Sequence, residues 1–193
     1  VADPINLTAS FTYPATSLVS YLFQRVPGQF YEWQCLAGLD ILFLACIAPA
    51  AAMPRKNWAG AVLVFAAGFL LPFFFSVVPA GTPSTIYANA MADTPLALLF
   101  GGTLCLYAAA GGRKTGFFAC AMPLAVLTMT KDIGFAYALI VTFLIGLDQL
   151  VGTPHADTKP ARIFGVSLAK CSILAAVVLA VLISWNRYTA ARI

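Results

Sequence analysis

The stretch FFACAMPLAVLTMTKDIGFAYALIVTFLIGL, Phe117–Leu147, is apolar on both sides of one charged pair, Lys131–Asp132. Two charges at the centre of a single membrane helix would cost about 2.5–3.5 kcal/mol each on an insertion scale. A single helix of that length would also overshoot a hydrocarbon core of about 30 Å. The less costly arrangement is two membrane segments, Phe117–Thr130 and Ile133–Leu147, with Lys131–Asp132 in a tight turn at one membrane face. The rest of the chain is placed relative to that turn.

Composition fixes the class. Of 193 residues, 61% are hydrophobic and 9% charged, where a soluble domain carries about 25% charge. The chain therefore reads as an all-α, polytopic integral membrane bundle with the lipid bilayer as its partner. The apolar runs lack two-residue alternation, which argues against a membrane β-barrel. The net charge of +4 is spread thinly between segments. It works as a topology signal and not as a nucleic-acid surface. Cys35, Cys46, Cys105, Cys120 and Cys171 all fall in apolar segments without CxxC spacing, and His155 stands alone in a polar loop. No metal site or cofactor is expected from this pattern.

Outward from the central turn, six segments are expected near 33–53, 58–78, 95–110, 117–130, 133–147 and 164–185. Residues 1–31 form a separate extracytoplasmic or interfacial region before the transmembrane domain of 32–193. Within it Leu18, Tyr21 and Leu22 have the spacing of a short surface helix. Asp40 lies inside the first segment and must face protein or water. Lys170 can snorkel toward the start of the sixth. The loops Pro79–Thr94 and Asp148–Arg162 are polar. Arg55, Lys56, Arg113, Lys114, Lys159, Arg162 and Lys170 fall on one side, and Arg25, Lys131, Arg187 and Arg192 on the other. The positive-inside rule puts the first set in the cytoplasm, and both chain ends outside the cytoplasmic membrane. The outer face then collects Tyr13, Glu32, Tyr87, Asp93, Lys131, Asp132, Arg187 and Tyr188. Taken singly, these serve as helix-start carboxylates, turn residues and an aromatic belt. Around one groove, carboxylates take a proton from a hydroxyl and Lys or Arg steadies a phosphate.

Four pieces carry a family likeness: TYPATSLVSYLF followed by Tyr31-Glu32, IYANAMADTPLALLFGGTLCLYAA, LAVLTMTKDIGFAYALI, and the closing SWNRY. In this order they resemble the middle of bacterial multi-pass glycosyltransferases of the GT-C type. The resemblance implies sugar transfer from a polyprenyl-phosphate carrier to an acceptor hydroxyl at the extracytoplasmic face. Among the residues present it points to Tyr13, Glu32, Asp93, Lys131 and Asp132; we expect catalytic roles for Asp93 and Glu32, and substrate binding by Tyr13, Lys131, Asp132 and, from its charge on the same face, Arg187. In that family the main catalytic carboxylate follows the first membrane helix. Because the chain starts at Val1 in a polar stretch, we expect a fragment, with that carboxylate upstream. Two alternatives belong to other classes. Asp40 and the Gly-rich, Pro-containing segments suit a transporter or channel subunit, and a structural subunit without chemistry is the third reading.

Overall fold

The computed structural model describes residues 15–25, 32–53, 57–74, 76–77, 84–85, 93–111, 114–151 and 160–191. The helices are α1 (Ala15–Arg25), α2 (Glu32–Ala51), α3 (Trp58–Phe74), α4 (Asp93–Ala109), α5 (Lys114–Ala119), α6 (Ala121–Thr128), α7 (Gly134–Val151) and α8 (Pro160–Ala190). Between α3 and α4, β1 (Ser76–Val77) pairs antiparallel with β2 (Ser84–Thr85), Ser76 opposite Thr85. Apart from short turns, the other described residues are helical, as composition leads one to expect.

Two helical stretches are long and apolar enough to cross a membrane, Gly134–Val151 and Phe164–Ala190. Leu36–Ala51, Trp58–Leu70, Asp93–Ala109 and Gly116–Thr128 are apolar but shorter. Helices α4, α6, α7 and α8 enclose the core, where Leu96, Leu99, Phe117, Leu124, Leu127, Val141, Ile145, Leu174 and Val178 are buried. Helix α2 packs on α4, and carries α1 and α3. The α2–α4 approach is close because Gly102 has no side chain. A Cβ there would lie 2.8 Å from the Cys46 carbonyl oxygen. Hydrogen bonds from Ser167 Oγ to the Gly146 carbonyl and from Cys171 Sγ to the Thr142 carbonyl show that α7 and α8 run antiparallel.

Four buried threonine hydroxyls are satisfied within their own helix. Thr103, Thr128, Thr130 and Thr142 donate to the carbonyls of Leu99, Leu124, Val126 and Ala138. Each bond spans one helical turn, so none of these four donors is stranded.

Several expected boundaries shift, for physical reasons. Phe117–Thr130 is not one helix, since α5 and α6 meet at Cys120. Pro123 has no N–H to donate to the previous turn, and sits instead in the first turn of α6, where none is needed. Asp148 belongs to α7 and not to a loop, because its carboxylate accepts a hydrogen bond from Tyr107. Helix α8 runs on past Trp185 to Ala190, closed by the Trp185–Tyr188 ring stack and the Thr189 hydroxyl bonded to the Trp185 carbonyl. Most of the Pro79–Thr94 loop lies outside the described residues. Its end, Asp93–Thr94, is the start of α4, where a carboxylate favours the helix N-terminus.

Cys46, Cys105, Cys120 and Cys171 are free thiols, and the side chain of Cys35 lies outside the described residues. Cys120 is fully buried, its Sγ 3.2 Å from the Gly116 carbonyl. We predict slow alkylation of Cys120 in intact membranes, because its side chain is fully buried and out of a reagent's reach. Labelling of Cys120 as fast as of an exposed control cysteine would contradict this packing.

Candidate functional site

The site forms where α4 begins and α6 turns into α7. Helix α6 ends through the Met129 N–H bonded to the Val126 carbonyl at 3.0 Å and the Thr130 N–H bonded to the Leu127 carbonyl at 3.2 Å. The chain reverses at Lys131–Ile133, and the Gly134 N–H donates to the Lys131 carbonyl at 2.8 Å. Position 134 must be glycine for this turn to close. A Cβ there would collide with the Leu127 carbonyl oxygen and press on Leu96. The buried threonines Thr128 and Thr130 brace the turn from below through bonds to their own helix.

This geometry aims the Lys131 ammonium at Asp93, the first residue of α4. The two form an ion pair. The Lys131 side chain is 45% exposed and that of Asp93 67% exposed, so the pair lies open to solvent at the end of the bundle. The same turn is tied to α1, since the Ala15 N–H donates to the Met129 carbonyl at 3.0 Å.

The expected site residues divide as follows. Asp93 and Lys131 are brought together. Asp132 occupies the same turn and is exposed, with no hydrogen bond or ion pair among the described residues. Glu32 is the first residue of α2, but its side chain lies outside the described residues, as does Tyr13. Arg187 sits on α8, exposed, with no ion-pair partner among the described residues. Helix α8 extends past the start of α7 and carries Arg187 beyond the turn.

A second polar cluster, not foreseen from the sequence, occupies the opposite end of the bundle. The Tyr107 hydroxyl donates to Asp148 Oδ2 at 2.9 Å. Lys170 Nζ donates to Gln149 Oε1 at 3.0 Å and lies 5.8 Å from the centre of the Phe117 ring. The cluster links α4, α7 and α8. One signal for it was present. Tyr107 continues the buried stripe Leu96–Leu99–Thr103 at helical spacing, and a buried tyrosine hydroxyl needs a partner.

Asp93 and Tyr107 lie near the two ends of α4, and Gly134 and Asp148 near those of α7. At about 1.5 Å per residue, the two polar layers stand about 21 Å apart along either helix. Asp40 on α2 falls between the ends of its helix, with Oδ1 buried and lacking a hydrogen-bond partner among the described residues. No group of His, Cys, Asp and Glu among the described residues is arranged to hold a metal ion.

A carboxylate beside an ammonium at an apolar–aqueous boundary can accept a proton and neutralise an anion in one place. No protein-family model, curated protein or solved structure matches this chain.

Proposed function

We propose that this chain is an integral membrane glycosyltransferase of the GT-C kind, or part of one. It transfers a sugar from a polyprenyl-phosphate carrier to an acceptor hydroxyl at the extracytoplasmic face of the cytoplasmic membrane. One observation carries the proposal: the solvent-open Asp93–Lys131 ion pair at one end of a largely apolar helical bundle. The acceptor oxygen attacks the anomeric carbon as the bond from that carbon to the carrier phosphate breaks. Asp93 takes the hydroxyl proton. Lys131 meets the charge gathering on the departing phosphate. Asp132 and Tyr13 contribute to substrate binding, and Glu32 is the second available carboxylate.

The two polar layers, about 21 Å apart, suit the two faces of a bilayer whose hydrocarbon is about 30 Å thick, with long side chains reaching outward. On this placement six segments cross, with both ends of the chain outside. Single-cysteine variants at positions 114 and 159 should then label only from the cytoplasmic side. Labelling of either from outside would overturn the topology.

The direct test is the full-length protein in proteoliposomes, offered a panel of polyprenyl-phosphate sugars and a hydroxyl acceptor. Donor-dependent transfer supports the proposal; folded protein inactive with the whole panel refutes it. A second reading, a transporter or channel subunit, is favoured by one feature, the buried Asp40 oxygen. Intramembrane carboxylates often mark ion paths. Ion flux into vesicles that is abolished by Asp40→Asn, without sugar transfer, would select it.

A further inference from the structure

Helix α1 carries three stripes of different chemistry. Ala15, Val19 and Phe23 repeat at helical spacing and are buried or half-buried. The helix packs on α2, where Gly38 leaves room for Phe23. A Cβ at Gly38 would lie 2.7 Å from Phe23 Cδ2. Thr16, Ser20 and Gln24 form a polar stripe. Leu18, Tyr21 and Leu22 form the third, and are 53%, 51% and 56% exposed. At about 100° per residue, the polar and the exposed apolar stripes flank the packed one on opposite sides. Arg25, in the last turn, is exposed as well.

The first residue of α1 is fixed at the charged end of the bundle, where the Ala15 N–H donates to the Met129 carbonyl beside the Lys131 turn. The last residue is a charge, which lipid hydrocarbon would accept only at high cost. A helix held this way is suited to lie along a membrane surface, with its polar stripe toward water and its open apolar stripe toward acyl chains. We propose that α1 is an interfacial brace. Leu18, Tyr21 and Leu22 are embedded in the lipid of the outer leaflet, and Arg25 meets the phospholipid headgroups. This docking steadies the Lys131–Asp132 turn through the Ala15–Met129 bond. Ile133, exposed in the turn itself, offers the same lipid a further apolar contact. The inference rests on the membrane placement proposed above and not on sugar transfer.

The first test is photo-crosslinking of the full chain in phosphatidylcholine nanodiscs, with p-benzoylphenylalanine in place of Tyr21. The products should be phospholipid adducts, at a yield comparable to that of the same probe in place of Phe143 on α7, which is 63% exposed. Crosslinks to a second copy of the chain, or no lipid adduct at all, would overturn the proposal. The brace itself is tested by hydrogen exchange in the same nanodiscs. Leu18→Gln keeps helix propensity and removes an exposed side chain. It should speed exchange of the Ala15, Thr130 and Gly134 amides by about tenfold, the worth of partly burying one leucine. The same change at Leu63 on α3, which is 72% exposed, should leave these amides as they are. Unchanged exchange in Leu18→Gln, or equal acceleration by Leu63→Gln, would overturn the brace. Neither measurement uses a sugar donor, so a failure of sugar transfer and a failure of the brace are read separately.

Discussion

Lys131→Met should lower sugar transfer by about 10²–10³-fold, the usual loss when one group aimed at developing negative charge is removed. The amount of folded protein should hardly change. Lys131 and Asp93 are both well exposed, and exposed ion pairs contribute only about 0–1 kcal/mol to stability. The turn itself does not need the ammonium. It is closed by backbone bonds around Met129–Gly134, by the threonines beneath it, and by the absence of a side chain at Gly134. Activity and folding therefore separate at this residue. The measurement is initial transfer rate per folded protein, with size-exclusion elution and melting temperature alongside. Lys131→Arg should recover part of the rate, since it restores the charge in a different shape. An unchanged rate in Lys131→Met would reduce Lys131 to a turn residue. Asp93→Asn discriminates further. A base loses its function in that variant, whereas a carboxylate that merely parks the ammonium can be replaced with little loss.

Gly102→Ala should destabilise the bundle by about 1–3 kcal/mol, the cost of forcing extra volume into a packed contact. Its neighbour Gly101→Ala should be neutral or stabilising by up to about 1 kcal/mol. The contrast comes from geometry. A Cβ at Gly102 would stand 2.8 Å from the Cys46 carbonyl oxygen and 3.2 Å from its Cα, and backbone cannot swing aside. A Cβ at Gly101 meets nothing within 4 Å, so only the helix preference for alanine remains. Denaturant titration of both variants in detergent measures the difference. Equal stabilities would mean that α2 and α4 do not meet at this close approach.

What was legible in the sequence was mainly what violates an apolar background. Lys131–Asp132 interrupts a long hydrophobic run, and charge cost alone placed a reversal there. Adjacency then followed from short connections, and put Asp93 and Lys131 at the same end. The two residues do pair. Helix ends were harder to read, because a polar residue near an end looks the same whether it leaves the helix or stays and finds a partner. Asp148 stays because Tyr107 reaches it from another helix. Arg187 was grouped with the site by membrane side, which does not by itself name a partner, and it forms no ion pair among the described residues. The break at Cys120 was not read from the sequence, although Pro123 lacks the N–H that one uninterrupted helix would use there.

The threonines between the two polar layers point to how such a chain can change over generations. Each of these hydroxyls donates to a carbonyl of its own helix, one turn back. Replacing one with an apolar residue of similar size therefore removes donor and bond together, and leaves no group on a neighbouring helix unsatisfied. The middle of the bundle is then free to drift through many apolar sequences of similar volume. The two ends are not, because there Asp93 meets Lys131, and Tyr107 meets Asp148, from separate elements of the fold. In distant descendants of such a chain, ancestry would survive as a few polar positions at the helix ends, scattered through interchangeable hydrophobic text.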